Sequence, residues 1–282
     1  MSKTESTQAL TPPFAGLLRF WRQVHQVSQE ELAYRTGSSA RHISRLENGH
    51  VSPSYEMTLG IVNSLGMLER DANHLLIAAG FRAQGEKASF AAPELKWLRK
   101  AMTLTLRALD PNPTILIDGS GDILMVNRSW VGLYRAIVGE DALKNITNHF
   151  DLLFSLHNEF TGSDAYTDAL CLILMSIQQD VLLTQDAAMQ IRLRRLLATP
   201  GIPDDWARRA AQRDPMASFR VELMINGKLQ RFFSVSQTVG AMGPTAYVSE
   251  PRLTINTLYQ EVPQNTLPDC CTDQWEHPLL AY

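Results

Sequence analysis

The sequence predicts a two-domain chain: an all-α domain of five short helices, then an α+β domain built on an antiparallel sheet. Three observations predict it. The chain has 282 residues, about two domains at roughly 150 residues each. Residues 13–82 place apolar side chains at helical spacing and are cut at short intervals by Gly37, Gly49, Gly66 and Gly80. Beyond Asp110-Pro111-Asn112-Pro113 the pattern turns to strand, then to a run of helices, then to strand again.

In the first domain, Pro13 suits an opening helical turn, and Phe14, Leu17, Leu18, Trp21 and Val24 follow at helical spacing. Ser28 with Glu31 three residues on is a capping-box pattern, so a second helix starts there, carries Leu32 and Ala33 inward and stops at Gly37. A third starts at Ser39, buries Ile43 and Leu46, and stops at Gly49. Ser52-Pro53-Ser54 caps a fourth, with Met57, Leu59, Ile61, Val62 and Leu65, ended by Gly66. The fifth holds Ala72, Leu75, Leu76 and Ala79. The predicted boundaries are a first domain over 12–82, a linker over 83–93, a second domain over 94–262 and a tail over 263–282.

The linker has no periodicity, and Pro93 opens a helix with Leu95, Trp97, Leu98, Met102, Leu104 and Leu106. Thr114–Asp118 and Ile123–Val126 read as strands around the turn Gly119-Ser120-Gly121-Asp122. Helices are predicted over 128–138, 149–158, 165–183, 186–198 and 203–213, and strands over 217–225, 229–237 and 244–255. Asn226-Gly227 is a strong two-residue hairpin signal.

Lys+Arg of 26 against Asp+Glu of 29 gives a net charge of -3. That excludes binding to nucleic acid by bulk charge and leaves room for a local basic face. The three cysteines, Cys171, Cys270 and Cys271, make no disulfide framework and no zinc spacing. Residues 1–11 lack the apolar core of a signal peptide, and the most apolar stretch, 169–177, is too short to span a bilayer. A reduced cytoplasmic protein that does not enter a membrane is expected. No GxSxG, P-loop or HExxH is present, His149 and His157 are too far apart for a helical metal pair, and Asp118 and Asp122 suit turn chemistry. An enzyme is therefore not expected, nor a metal or cofactor. Arg192, Arg194 and Arg195 read as a solvated helix face.

The stretch from Ser28 to Ser54 carries the most information. Ala33 and Gly37 let two helices meet at a steep angle, and the third helix then shows Ser39, Arg41, His42 and Arg45 opposite its buried face. A helix fits the major groove, and Arg pairs bidentately with guanine there. On Ser28-Gln29-Glu30-Glu31-Leu32-Ala33, Gly37, Ile43-Ser44 and Leu46-Glu47-Asn48-Gly49, the segment resembles the helix-turn-helix of the Xre/Cro/phage-repressor superfamily. The resemblance implies a lambda-repressor-like fold that binds double-stranded DNA. It implies Gln29 and Asn48 as backbone contacts, and Ala40, Arg41 and Arg45, flanked by Ser39 and His42, facing base edges. Ser38 departs from the usual apolar residue, and Ala40 offers a base only a methyl contact. Because one such helix covers few base pairs, a homodimer reading paired half-sites is expected.

The second half, with Gly80-Phe81, Asp110-Pro111-Asn112-Pro113, residues 115–127, Trp130 and the strand Arg252-Leu253-Thr254-Ile255, resembles the MmyB-like regulators. Tyr259 to Pro263 match that family's pattern after the last strand only loosely. The resemblance implies a PAS-like domain holding a long apolar ligand such as a fatty acid. Trp130, Tyr134, Phe150, Phe154, Leu172, Met175, Val221, Leu223, Phe233 and Val235 are the residues available to line such a cavity. The competing reading is an interaction protein, antitoxin-like, whose second domain binds a protein partner.

Overall fold

The computed structural model describes residues 12–83, 89–156, 164–213, 218–225, 227–240, 252–262 and 276–282. They fall into two compact units, divided after Lys87.

The first unit holds helices α1 (Pro13–Val24), α2 (Gln29–Arg35), α3 (Ala40–Glu47), α4 (Tyr55–Leu65) and α5 (Glu69–Ala78). The predicted caps form. The Ser28, Ser39 and Ser54 side chains accept from the backbone amides of Glu31, His42 and Met57, so α2, α3 and α4 each begin on a serine. Between α2 and α3 the chain turns at Gly37, whose φ is +64°, and the Ser38 amide closes onto the Ala33 carbonyl at 2.8 Å. Leu18, Leu32, Ile43, Leu46, Ile61 and Leu75 are fully buried in one core.

The second unit begins with a single 3-10 turn and α6 (Lys96–Ala108), then β1 (Thr114–Asp118) and β2 (Ile123–Val126). The helices α7 (Arg128–Val138), α8 (Glu140–Leu143), α9 (His149–Ser155), α10 (Asp164–Thr184), α11 (Ala187–Leu197) and α12 (Trp206–Ala211) follow. The chain then returns as β3 (Ser218–Ile225), β4 (Lys228–Val239) and β5 (Leu253–Gln260). Among the described residues the strands form one antiparallel sheet in the order β2-β1-β5-β4-β3. Ile225 pairs with Lys228, which fixes the two-residue hairpin; Gly227 has φ +74°, and Asn226 lies outside the described residues.

Several details differ from the sequence expectation. The last strand is Leu253–Gln260, whereas 244–255 was predicted, and most of 244–252 lies outside the described residues. Tyr259 therefore sits inside β5 and pairs with Phe233. The short α8 was not foreseen; its four residues carry no apolar period. Helices pack on both faces of the sheet. Ile115, Ile117 and Val126 face α7, while Leu116, Leu253 and Ile255 pack on Met102 and Leu106 of α6. Residues 276–282, part of the predicted tail, lie on this unit: the Leu280 backbone bridges Val126, and the Tyr282 hydroxyl hydrogen-bonds Asp110.

Helix α10 reaches 21 residues and by length and composition alone could cross a bilayer. In the fold one stripe of it is buried within the second unit. Tyr166, Leu170, Leu174, Ile177 and Val181 form a buried stripe against Met189, Leu193 and Leu196 of α11. Its charges are paired as well, Asp168 with Arg209 and Arg213, and Asp180 with Arg252.

Candidate nucleic-acid interface and ligand cavity

Helix α3 has two faces because its sequence has two stripes. Ile43, Leu46 and Glu47 are buried. Arg41, Arg45 and Asn48, spaced by four and three residues, are exposed and share the other side. Neither the Arg41 nor the Arg45 side chain makes a hydrogen bond or ion pair among the described residues, so both guanidinium groups are available to an external partner. Ser39 spends its hydroxyl oxygen on the helix cap, while Ala40 and His42 are half-buried. Tyr34, near the end of α2, is 84% exposed.

Gln29 and Asn48 are less free than the family pattern implies. The Gln29 amide donates to Glu47 Oε2 at 2.8 Å. Asn48 accepts from Arg19 at 2.9 Å. Both belong to a network centred on Glu47, whose side chain is 1% exposed and which Arg22 grips through Nε at 2.5 Å and Nη2 at 3.0 Å. Burial pushes the Glu47 carboxyl up, but hydrogen bonds from Arg22 and Gln29, with the charges of Arg22 and Arg19, outweigh it and hold the group below its usual range. The hydrogen bond to Glu47 in turn raises Arg22. This network ties α1, α2 and α3 together and sets the angle at which the arginine stripe is shown.

In the second unit, helix α9 is fixed onto the β1–β2 hairpin. The Asn148 side chain caps α9 and donates to the Ser120 carbonyl at 3.1 Å and to Asp122 at 2.7 Å. The His149 amide donates to the Gly121 carbonyl at 2.8 Å. Arg192 donates to Ser120 and Asp122 as well, at 2.7 and 3.2 Å. It is therefore a fastener between α11 and the hairpin rather than part of a solvated face; Arg195 pairs with Asp151.

Between the sheet and helices α7, α9 and α10 lies a cavity of about 180 Å³. It is lined by Ile117, Tyr134, His149, Phe150, Leu153, Leu156, Tyr166, Ile173, Val221, Leu223, Ser234, Ser236, Asn256 and Leu258. Four of the residues named from sequence are there: Tyr134, Phe150, Val221 and Leu223. Trp130 is buried behind Tyr134, their rings 4.8 Å apart. Phe154 points into the α10–α11 core, and Leu172 and Met175, half-buried on α10, do not reach the cavity wall. Phe233 and Val235 alternate away from Phe232 and Ser234, so they belong to the opposite face, where Phe233 is 42% exposed.

The cavity has a polar side that sequence reasoning missed. The Asn256 amide donates to both Ser234 and Ser236, at 2.9 and 3.1 Å. The Tyr166 hydroxyl donates to the Leu153 carbonyl. Burial pushes the His149 imidazole down to about 4, so it is neutral at physiological pH. Its Nδ1 has no hydrogen-bond partner among the described residues. His157 lies outside the described residues. Among those described, no cluster of His, Cys, Asp and Glu is disposed to hold a metal ion.

Residues 13–75 match a family model described as a helix-turn-helix domain. The N-terminal unit is therefore a helix-turn-helix domain, the class of module its fold and its two-faced third helix define. Among solved structures, the clp gene regulator ClgR from C. glutamicum is 27% identical over 26% of this chain and 91% of its own, with a TM-score of 0.22. Bacillus thuringiensis PlcR, solved with the peptide PapR7 and DNA, is 13% identical over 71% of this chain and 78% of its own, with a TM-score of 0.24. No curated protein matches the chain.

Proposed function

We propose that this protein is a sequence-specific DNA-binding regulator of transcription whose second domain senses a ligand. The observation that carries the first half is the stripe of Arg41 and Arg45. Two guanidinium groups, unpaired among the described residues, stand on the exposed face of the third helix of a helix-turn-helix domain, suited to base edges in the major groove. Asn48 and Gln29 flank that face and, through Glu47, orient it. Ser39, Ala40 and His42 complete the contact surface. Since one recognition helix reads few base pairs, the working form is a homodimer on two half-sites, acting in the cytoplasm.

For the second domain, the strand order 2-1-5-4-3, with the helices inserted between the second and third strands, supports a PAS-like reading of the MmyB-like kind. The cavity under that sheet supports ligand sensing. A long fatty acid is a poor match to about 180 Å³, because sites for drug-sized ligands start near roughly 300 Å³. Ligand occupancy would act on DNA affinity through segment 83–107, whose helix α6 is packed on the sheet by Met102 and Leu106, by as much as the ligand's differential affinity for two states.

The test is a salt series of binding to the DNA upstream of the protein's own gene, for wild type, Arg41→Ala and Arg45→Ala. Affinity falls with salt. Each variant loses about 1–3 kcal/mol on that DNA and less on random competitor. If the wild type binds no DNA even at low salt, the helix-turn-helix is a protein-contact module and the regulator reading is wrong.

A further inference from the structure

The cavity of the second domain is lined by hydrogen-bonding capacity that the described residues do not use. His149 Nδ1 is buried without a partner among the described residues, a state that ordinarily costs stability. Ser234 and Ser236 each accept from Asn256 through the hydroxyl oxygen, so each keeps a proton to donate. Apart from Asn256 and the two tyrosines, Tyr134 and Tyr166, the rest of the wall is apolar, with Ile117, Ile173, Val221, Leu223 and Leu258 among it. No Lys, Arg, Asp or Glu is among the described lining residues. An ionised ligand would enter unpaired, which is costly in such a site, and a neutral His149 offers it no charge. The volume of about 180 Å³ is close to that of an engineered apolar cavity of roughly 150 Å³ that accepts benzene.

We propose that this cavity is the binding site for an uncharged molecule about the size of one aromatic ring, bearing a single hydroxyl or amide group that pairs with His149 and the Ser234–Ser236 hydroxyls. A group of that kind both donates and accepts, so it satisfies the imidazole and the serines together, while its apolar body takes the aliphatic wall. The assignment rests on reading the second domain as a ligand sensor, and it narrows that reading from long acyl chains to compact neutral molecules.

Phenol, neutral at pH 7, is the probe; benzoate tests charge and dodecanoate tests length. Calorimetry on the full chain is expected to show saturable binding of one phenol per chain, with benzoate and dodecanoate weaker by at least tenfold. Val221→Phe fills the cavity from a half-buried strand position and abolishes binding. His149→Phe removes the polar partner and weakens phenol by about tenfold. Should that variant fail to fold, Val221→Phe alone decides the case. The assignment is overturned if phenol shows no saturable binding, if dodecanoate binds more tightly, or if Val221→Phe binds phenol like wild type. DNA affinity measured beside each titration separates the two ideas. Dodecanoate in the cavity with altered DNA binding keeps the sensor and sinks this assignment. Phenol binding with unaltered DNA affinity keeps this assignment and sinks the sensor.

Discussion

Glu47 in the first domain and His149 in the second are both buried ionisable side chains, and the protein treats them in opposite ways. Glu47 is kept charged by Arg22, Gln29 and Arg19. His149 is kept neutral by burial alone and leaves Nδ1 unmatched. The first arrangement uses its polar capacity internally and fixes three helices relative to one another. The second leaves Nδ1 without a partner among the described residues beside a cavity. The contrast separates a rigid presenting surface from a site with room for something else.

The largest effect falls on the Glu47 network. Glu47→Ala leaves the mostly buried Arg22 without its anion, and losing one partner of a buried pair costs about 3 kcal/mol or more. Hydrogen exchange in the full chain is the appropriate measurement, because it reads the opening of residues 13–78 separately from the rest. Protection should collapse across α1, α2 and α3 while the sheet of the second unit keeps its own. Equal loss in both units would show that Glu47 supports more than the helix-turn-helix.

Acid separates the two groups by pH. The folded value for His149 is lowered to about 4, below the unfolded value near 6.5. The unfolded chain therefore binds the extra proton first, and the second domain loses stability as pH falls from about 6.5 toward 4. The loss is about 2 kcal/mol, discounted from the full shift because the adjoining cavity can admit water. The Glu47 carboxyl is also lowered, so its contribution is complete above the unfolded carboxylate value of about 4.3 and disappears only as pH falls through the folded value. Exchange rates at pH 7 and pH 5 should thus differ more in the second domain than in the first, and His149→Phe should shrink that difference. A first domain that loosens before the second reverses the comparison.

Two glycines with left-handed backbones sharpen it further. Gly37 has φ +64° and open space where a Cβ would stand, so Gly37→Ala pays conformational strain alone, about 1 kcal/mol. At Gly121, with φ +77°, a Cβ would lie 2.5 Å from the Phe150 ring. Gly121→Ala adds that clash and costs about 2 kcal/mol. Phe150 is a cavity wall, so the same change should alter phenol binding, whereas Gly37→Ala leaves it intact. Paired thermal melts and titrations of the two variants are the check.

Much of this was legible in residue types and spacing. Serine caps and glycine stops marked α2, α3 and α4, because capping chemistry is local. Ile43 and Leu46 identified the buried face of α3, which left Arg41 and Arg45 opposite. The cavity was harder, since its walls come from seven separate elements. One part of it was nevertheless readable. A two-residue hairpin pairs Ile225 with Lys228, hence Val221 with Phe232 and Leu223 with Gln230. Strand alternation then puts Phe232, Ser234 and Ser236 on the cavity side, not Phe233 and Val235. His149 and Glu47 were illegible as buried groups: nothing local to either residue says that Gln29, eighteen positions away, or a distant sheet will enclose it.

The smallest expected effect belongs to the arginine stripe, and its smallness is what the comparison demands. Arg45 is exposed and bound to nothing within the described chain, so Arg45→Ala should leave the stability of the first domain within about 0.5 kcal/mol. Glu47 lies two residues further along the same helix, on the buried side, and its removal should cost several times that. If α3 has one structural face and one presenting face, Arg45→Ala lowers DNA affinity without changing exchange protection. Glu47→Gln, which keeps the shape and loses the charge, should lower both, because the angle of the stripe depends on the network behind it. A loss of protection in Arg45→Ala comparable to that in Glu47→Gln would mean the guanidinium supports the fold, and the division of α3 into two faces would fail.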